Sequence, residues 1–184
     1  MNNPAKPQPV IAIHGGAGTL SRSTISPAQE AAYLEALATI LLAGQRLLAE
    51  GGSALDAVCL AVDMLEDCPL FNAGHGAVFT RDETHELDAA VMDGAHLRAG
   101  AVACVSHIKR PLRAARAVME HSEHVLLVGA GAEAFARGLG LEMVDPDYFS
   151  TEARRAQLHR AQADAVTVLD HDGAASAPLD EQRK

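Results

Sequence analysis

Aromatic residues make up only 3% of this 184-residue chain and tryptophan is absent, so the core must close on Ala, Val, Leu and Gly. Small side chains fill space only where backbones approach closely, which suits helices lying tightly on a sheet. With 48% hydrophobic and 21% charged residues the composition is that of a globular domain, not a disordered chain. The length corresponds to about one domain, or part of one. No collagen-like or heptad period occurs, and the sequence reading expects no membrane span, since no uninterrupted run nears the roughly 18 apolar residues one needs. The start, MNNPAKPQPV, lacks a basic region followed by an apolar stretch, so no secretory signal is expected. A net charge of −9 argues against a nucleic-acid partner. Cys59, Cys68 and Cys104 form neither a C-x-x-C pair nor an even framework, which fits free thiols in a reducing cytoplasm.

The apolar run VIAI at 10–13 leads into His14-Gly15-Gly16-Ala17-Gly18 and reads as a strand entering a tight glycine loop. Ser26-Pro27-Ala28-Gln29 has the form of a capping box with proline at the first helical position. Tyr33, Leu34, Leu37, Ile40, Leu41, Leu47 and Leu48 follow at helical spacing until Gly51-Gly52. Ser53 caps a second helix carrying Leu55, Val58, Val62 and Leu65 and halted by Pro69, so the two make a helical hairpin. Residues 87–94 and 98–107 read as an antiparallel strand pair turning near Gly94. A helix from Pro111 to about Met119, a strand over 124–129, a helix from Ala132 to Leu139 and a polar helix from Thr151 to about Ala163 complete the order. Residues 164–184, rich in Ala, Asp and Gly, are expected to form a flexible tail. This order is α+β without the strict alternation of a doubly wound fold.

Several motifs admit two readings. HGGAG offers backbone N–H groups to a ligand, or is a tight structural turn; the G-x-S-x-G elbow that an esterase oxyanion loop requires is absent from the sequence. Gly129-Ala130-Gly131-Ala132-Glu133-Ala134 matches the dinucleotide pattern G-x-G-x-x-A, with Asp145 and Asp147 near the distance of a ribose-binding acid but in a stretch that reads as irregular. The alternative function it supports is a non-hydrolytic nucleotide-binding module; a non-catalytic scaffold is a third. His85-Glu86 begins like a zinc-protease motif, but Ala89 stands where the second histidine belongs. Asp88 and Asp93 are candidate paired acids, or solvent-facing and capping residues on a strand and its turn. The segment from Leu65 to Gly76 leaves a helix C-terminus, where unpaired carbonyls favour cations; wrapped inward, they would make an oxygen cage, and left outward an ordinary cap.

Together, VIAIHGGAG, CPLFNAGHGAVFTRDETHELDAAVMDG, GAVACVSHIKRP and TVLDHDG closely resemble the α subunit of the plant-type L-asparaginases, or isoaspartyl peptidases, over nearly the whole chain. The resemblance implies an N-terminal nucleophile hydrolase: a precursor cuts itself before a threonine, and that residue of the β subunit becomes the nucleophile. The implied fold is an αββα sandwich completed by a separate β chain, with residues 1–163 contributing to a single αββα domain and 164–184 leading to the cleavage junction. This chain begins with Met1, and none of Thr19, Thr24, Thr80, Thr84, Thr151 and Thr167 is terminal, so the expected nucleophile lies on the β chain. The family's junction follows a stretch like PLDEQRK (178–184) at a Gly-Thr bond; here the chain stops at Lys184 without that glycine.

By resemblance, Asn72 hydrogen-bonds near the nucleophilic threonine and positions it, while His14, Gly15 and Gly16 form the loop that arranges the scissile bond during self-cleavage. Main-chain carbonyls of Leu65, Glu66, Cys68, Phe71, Ala73 and His75 would hold a structural sodium ion, with no organic cofactor. The implied substrates are L-asparagine and β-aspartyl dipeptides, and the implied assembly is an (αβ)2 heterotetramer.

Overall fold

The computed structural model describes residues 8–16 and 25–163. Helix α1 (Pro27–Ala49) starts as its sequence dictates: the Ser26 hydroxyl accepts the Gln29 N–H at 3.2 Å, and the Gln29 side chain accepts the Ser26 N–H at 2.9 Å. Helix α2 (Ala54–Glu66) is capped by Ser53, whose hydroxyl accepts the Asp56 N–H at 3.0 Å. The two pack as the expected hairpin around Ile40, Ala61, Leu65 and Phe71. At 23 residues, with a window of mean hydropathy 1.2, α1 has the length and apolarity of a membrane-crossing helix. The sequence expectation that nothing approaches such a span is corrected to that extent. Its residues Tyr33 and Leu37 pack beside that hairpin core, while Leu34 and Leu42 are exposed.

Strands β1 (Leu87–Asp93) and β2 (Arg98–Val105) pair antiparallel as expected, and β3 (Leu126–Val128) joins β2 in parallel, giving the order β1-β2-β3. Helix α3 (Pro111–His121) links β2 to β3; α4 (Gly129–Gly138), a 3-10 turn (Pro146–Phe149) and α5 (Glu152–Ala163) follow. The sheet has two unlike faces. Val91, Val102 and Leu127 turn toward α3 and α4 and join the larger core with Val118, Ala132 and Phe149. Contact there is as close as the composition demands: a Cβ on Gly100 would lie 2.2 Å from the Ala115 carbonyl oxygen and 2.6 Å from the Met119 nitrogen, both on α3. The opposite face carries Ala90, Met92, Ala101, Leu126 and Val128 and is open, with Met92 59%, Leu126 52% and Val128 51% exposed.

Three further expectations are corrected. Residues 10–13 form no ladder, because a strand needs a hydrogen-bonding neighbour and the described sheet ends at β1 and β3. Their period-two burial persists, with Ile11 and Ile13 half-buried in the α1–α2 cluster and Val10 and Ala12 exposed. Second, the helix expected from Ala132 begins three residues earlier, at Gly129, whose φ of +53° lets β3 turn directly into α4. Third, the stretch before α5 is not irregular throughout: Asp145 caps the Pro146–Phe149 turn and Phe149 is fully buried. Residues 164–184, expected to form a tail, lie outside the described residues, as do Ala17 and Gly18 of the glycine loop.

Candidate functional site

The chain leaves α2 at Glu66 and folds back on itself before β1. The last-turn carbonyls have no helical partners, and the loop supplies some: Leu65 O accepts the Cys68 N–H and Glu66 O the His75 N–H at 2.7 Å, while within the loop Cys68 O accepts the Phe71 N–H. Two glycines make this turn possible. Gly74 sits at φ +51°, and a Cβ there would lie 2.3 Å from Glu66 O. Gly76 sits at φ +105°, where a Cβ would lie 2.6 Å from Pro69 O and 2.9 Å from Phe71 O. Main-chain oxygens thus crowd against the two residues that have no side chain. A donor set made only of carbonyl oxygens suits a hard cation such as sodium. Accepting one N–H leaves the oxygens of Leu65, Glu66 and Cys68 a second lone pair each, so their chemistry is compatible with the expected role as ligands.

Asn72 lies in this loop. Its Oδ1 accepts the Val78 N–H at 2.9 Å, a bond that spans the turn containing Gly74 and Gly76. The other expected segment comes alongside: a Cβ on Gly15 would lie 3.0 Å from a Phe71 ring carbon and 3.1 Å from Leu37. Gly16, at φ +118°, donates its N–H to His14 Nδ1 at 3.2 Å. Gly15 therefore rests against the residue that immediately precedes Asn72. Cys68, Ala73 and His75 are half-buried, Leu65 and Phe71 buried, and the His75 ring stacks near Tyr148 at 5.4 Å.

Beneath the loop lies the Glu66 side chain, 4% exposed. Its Oε1 accepts the Leu112 N–H in the first turn of α3 at 3.0 Å, whereas Oε2 is buried without a partner among the described residues. Burial pushes this carboxyl up to about 8; the Leu112 hydrogen bond opposes the rise, and the neighbouring Asp63 and Asp67 carboxylates add to it. Flanking it, three arginines of α3 reach back to α2 and its cap: Arg110 to Asp67 at 2.6 Å, Arg113 to Asp63, and Arg116 to Asp56 at 2.7 Å. A cavity of about 350 Å³ opens here, lined by Glu66, Asn72, Ala73 and Gly74 on one side and by Asp88, Ala90 and Leu112 on the other.

The remaining sequence candidates have structural partners. His85 is buried, with Nδ1 against the Val78 carbonyl at 3.2 Å and Nε2 against the Ser150 hydroxyl at 3.1 Å, between Phe79 and Phe149. Asp88 accepts the N–H of Cys104 at 2.8 Å, where φ of +53° marks the β-bulge. Asp93 caps its turn through Ala95 and His96. The Gly129–Gly131 segment lies within the first turn of α4, and after it the described residues hold no further strand to close a second βαβ unit. Sequence reasoning chose Glu66 for its carbonyl and missed its side chain. The available signal was an acid at a helix end with a proline-led helix, starting at Pro111, in need of a cap.

A protein-family model described as Asparaginase matches residues 7–184. Among curated relatives, the isoaspartyl peptidase of Escherichia coli K12 is 60% identical over 175 residues, covering 95% of this chain and 54% of its own length. The plant-type L-asparaginase of Pyrococcus abyssi is 49% identical over 80% of this chain and 46% of its own. The isoaspartyl peptidase/L-asparaginase of Rattus norvegicus is 42% identical over 82% and 44%. The chain thus spans about half the length of the curated relatives it matches.

Proposed function

Because the chain belongs to the asparaginase family, we propose that it is the α half of a self-processing hydrolase that opens the side-chain amide of L-asparagine and the isoaspartyl bond of β-aspartyl dipeptides. The nucleophile is an N-terminal threonine of a β subunit from the same precursor. Its hydroxyl attacks the side-chain carbonyl while its own α-amine takes the proton and passes it to the leaving amine. Water then hydrolyses the acyl-enzyme and releases aspartate. Both substrates present the same carbonyl, so one site serves both.

In this reading Asn72 positions the threonine, held by its bond to the Val78 N–H. The loop His14-Gly15-Gly16 arranges the scissile peptide during self-cleavage, with Gly15 seated against the ring of Phe71, the neighbour of Asn72 in the chain. The carbonyls of Leu65, Glu66, Cys68, Phe71, Ala73 and His75 hold a sodium ion that supplies only structural charge. The open face bearing Met92, Leu126 and Val128 receives the second sheet of an αββα sandwich from the β subunit, since an apolar face of this kind is normally covered. Two αβ units form the (αβ)2 assembly. The free thiols of Cys59, Cys68 and Cys104 favour a reducing, cytoplasmic setting.

High identity to relatives named for this activity, along nearly the entire chain, is the observation that carries the proposal. The test is intact mass and N-terminal sequencing of the full-length gene product, followed by aspartate release from a β-aspartyl dipeptide. The expected result is two fragments in equal amount, one starting with threonine, with activity confined to the cut form. Activity in an uncut precursor, or cleavage without hydrolysis of either substrate, refutes it.

A further inference from the structure

Glu66 is bonded on two sides. Its main-chain oxygen accepts the His75 N–H at 2.7 Å and lies against Gly74, so the Asn72–His75 loop is wrapped on its backbone. Its carboxyl group reaches the other way, with Oε1 accepting the Leu112 N–H. Helix α3 has no side-chain cap of its own: Arg110 stands at the N-cap position and makes no capping bond, and Pro111 follows. One of the donors left over at that helix start is therefore satisfied from 46 residues earlier in the chain. The cavity beside it draws its walls from both ends of this link, Asn72, Ala73 and Gly74 on the loop and Leu112 on the helix.

We propose that the Glu66 side chain is a positioning residue, pinning the start of α3 to the loop that carries Asn72 and so fixing where that amide stands. This rests on the role given to Asn72 above. A leucine of similar size would fill the space without the cost of a desolvated carboxyl, but would leave the Leu112 N–H unpaired and remove the bond that sets the loop against the start of α3. A displacement of about 1 Å at a positioning group is enough to cost up to about a hundredfold in rate.

The test compares Glu66→Gln, Glu66→Ala and Val118→Ala in the full-length protein after processing. Val118 is fully buried in α3 but lies far along the helix from Leu112, so its truncation lowers stability without touching the link. Glu66→Gln keeps an oxygen for the Leu112 N–H and is expected to hold kcat within about threefold. Glu66→Ala is expected to lose about tenfold or more in kcat with KM little changed. Val118→Ala should lower Tm while leaving kcat within about twofold. The proposal is overturned if Glu66→Ala keeps its kcat, if Glu66→Gln falls as far as Glu66→Ala, or if Val118→Ala loses kcat equally. Crystal structures of the two Glu66 variants decide it without any activity assay. Asn72 should shift relative to α3 in Glu66→Ala and stay in place in Glu66→Gln, and an unmoved Asn72 in both refutes the link. If the unmutated protein hydrolyses neither substrate, the proposed function fails while this crystallographic comparison still stands.

Discussion

Replacing Gly74 by alanine tests the loop geometry most directly. Two costs combine. The residue sits at φ +51°, where an L side chain costs about 1–2 kcal/mol. The new Cβ would also lie 2.3 Å from the Glu66 carbonyl oxygen and 2.9 Å from the Glu66 carbonyl carbon and Cβ. These are mostly backbone atoms at the end of α2, which cannot rotate away as a flexible side chain would. Overpacking of this sort adds about 1–3 kcal/mol, for a total of about 2–5 kcal/mol. At about 2–4 °C per kcal/mol for a domain of this size, Tm should fall by at least about 4 °C. The control is Gly94→Ala, at a turn with nothing within 4 Å of the new Cβ and no positive φ, expected within about 0.5 kcal/mol of the unmutated protein. Differential scanning calorimetry of full-length protein under matched conditions reads both, and aspartate release reads the effect on the adjacent Asn72. A Gly74→Ala protein with unchanged Tm would mean that the chain does not turn back on Glu66 in this way.

Gly100→Ala should destabilise by about 3 kcal/mol, because the methyl meets backbone atoms of α3 rather than side chains; urea unfolding checks it, and a neutral result would mean α3 does not lie this close to β2. Burial holds His85 below the ordinary histidine range. The folded state then binds fewer protons than the unfolded one, so stability is complete above about pH 6.5 and is lost as pH falls below it. His85→Phe, which keeps a ring between Phe79 and Phe149, should flatten that acid slope in urea titrations between pH 7 and about 5. Exchanging sodium for choline at constant ionic strength should lower the Tm of the full-length protein, by an amount equivalent to about 2.7 kcal/mol when sodium had been present at 100 times its Kd. An unchanged Tm would mean that the loop carbonyls hold no cation.

The elements that were legible in the sequence are those decided by neighbours along the chain. The Ser26–Gln29 box is local hydrogen bonding, so α1 starts where the residues say. The β1–β2 pair needs only two apolar runs and a turn at Gly94. Residues 10–13 have strand-like alternation, but a ladder depends on what lies beside them, which alternation does not specify. The Pro146–Phe149 turn was missed because four residues carry no period, although Phe149 anchors the larger core. At the site, the Asn72 loop was readable through its motif and its two glycines. The role of the Glu66 carboxyl group was not, because its partner is a backbone N–H at Leu112 and no residue type announces it.

The same contacts bear on the positioning role proposed for this loop. Loops are the mobile parts of most folds, yet this one is tied at several independent points: Glu66 O to His75, Asn72 Oδ1 to Val78, Gly76 N–H to Phe149 O, and the Arg154 guanidinium to Gly76 O at 2.8 Å. The ties lead to α2, the Pro146–Phe149 turn and α5, which are separate elements of the fold. Sliding the loop along any one of them breaks bonds to the others. Pre-organised polar groups stabilise a developing charge best when nothing must reorganise as it forms. A loop fixed on several sides by main-chain groups, with Asn72 and Arg154 adding side-chain bonds, meets that condition without the bulky aromatics that this composition lacks.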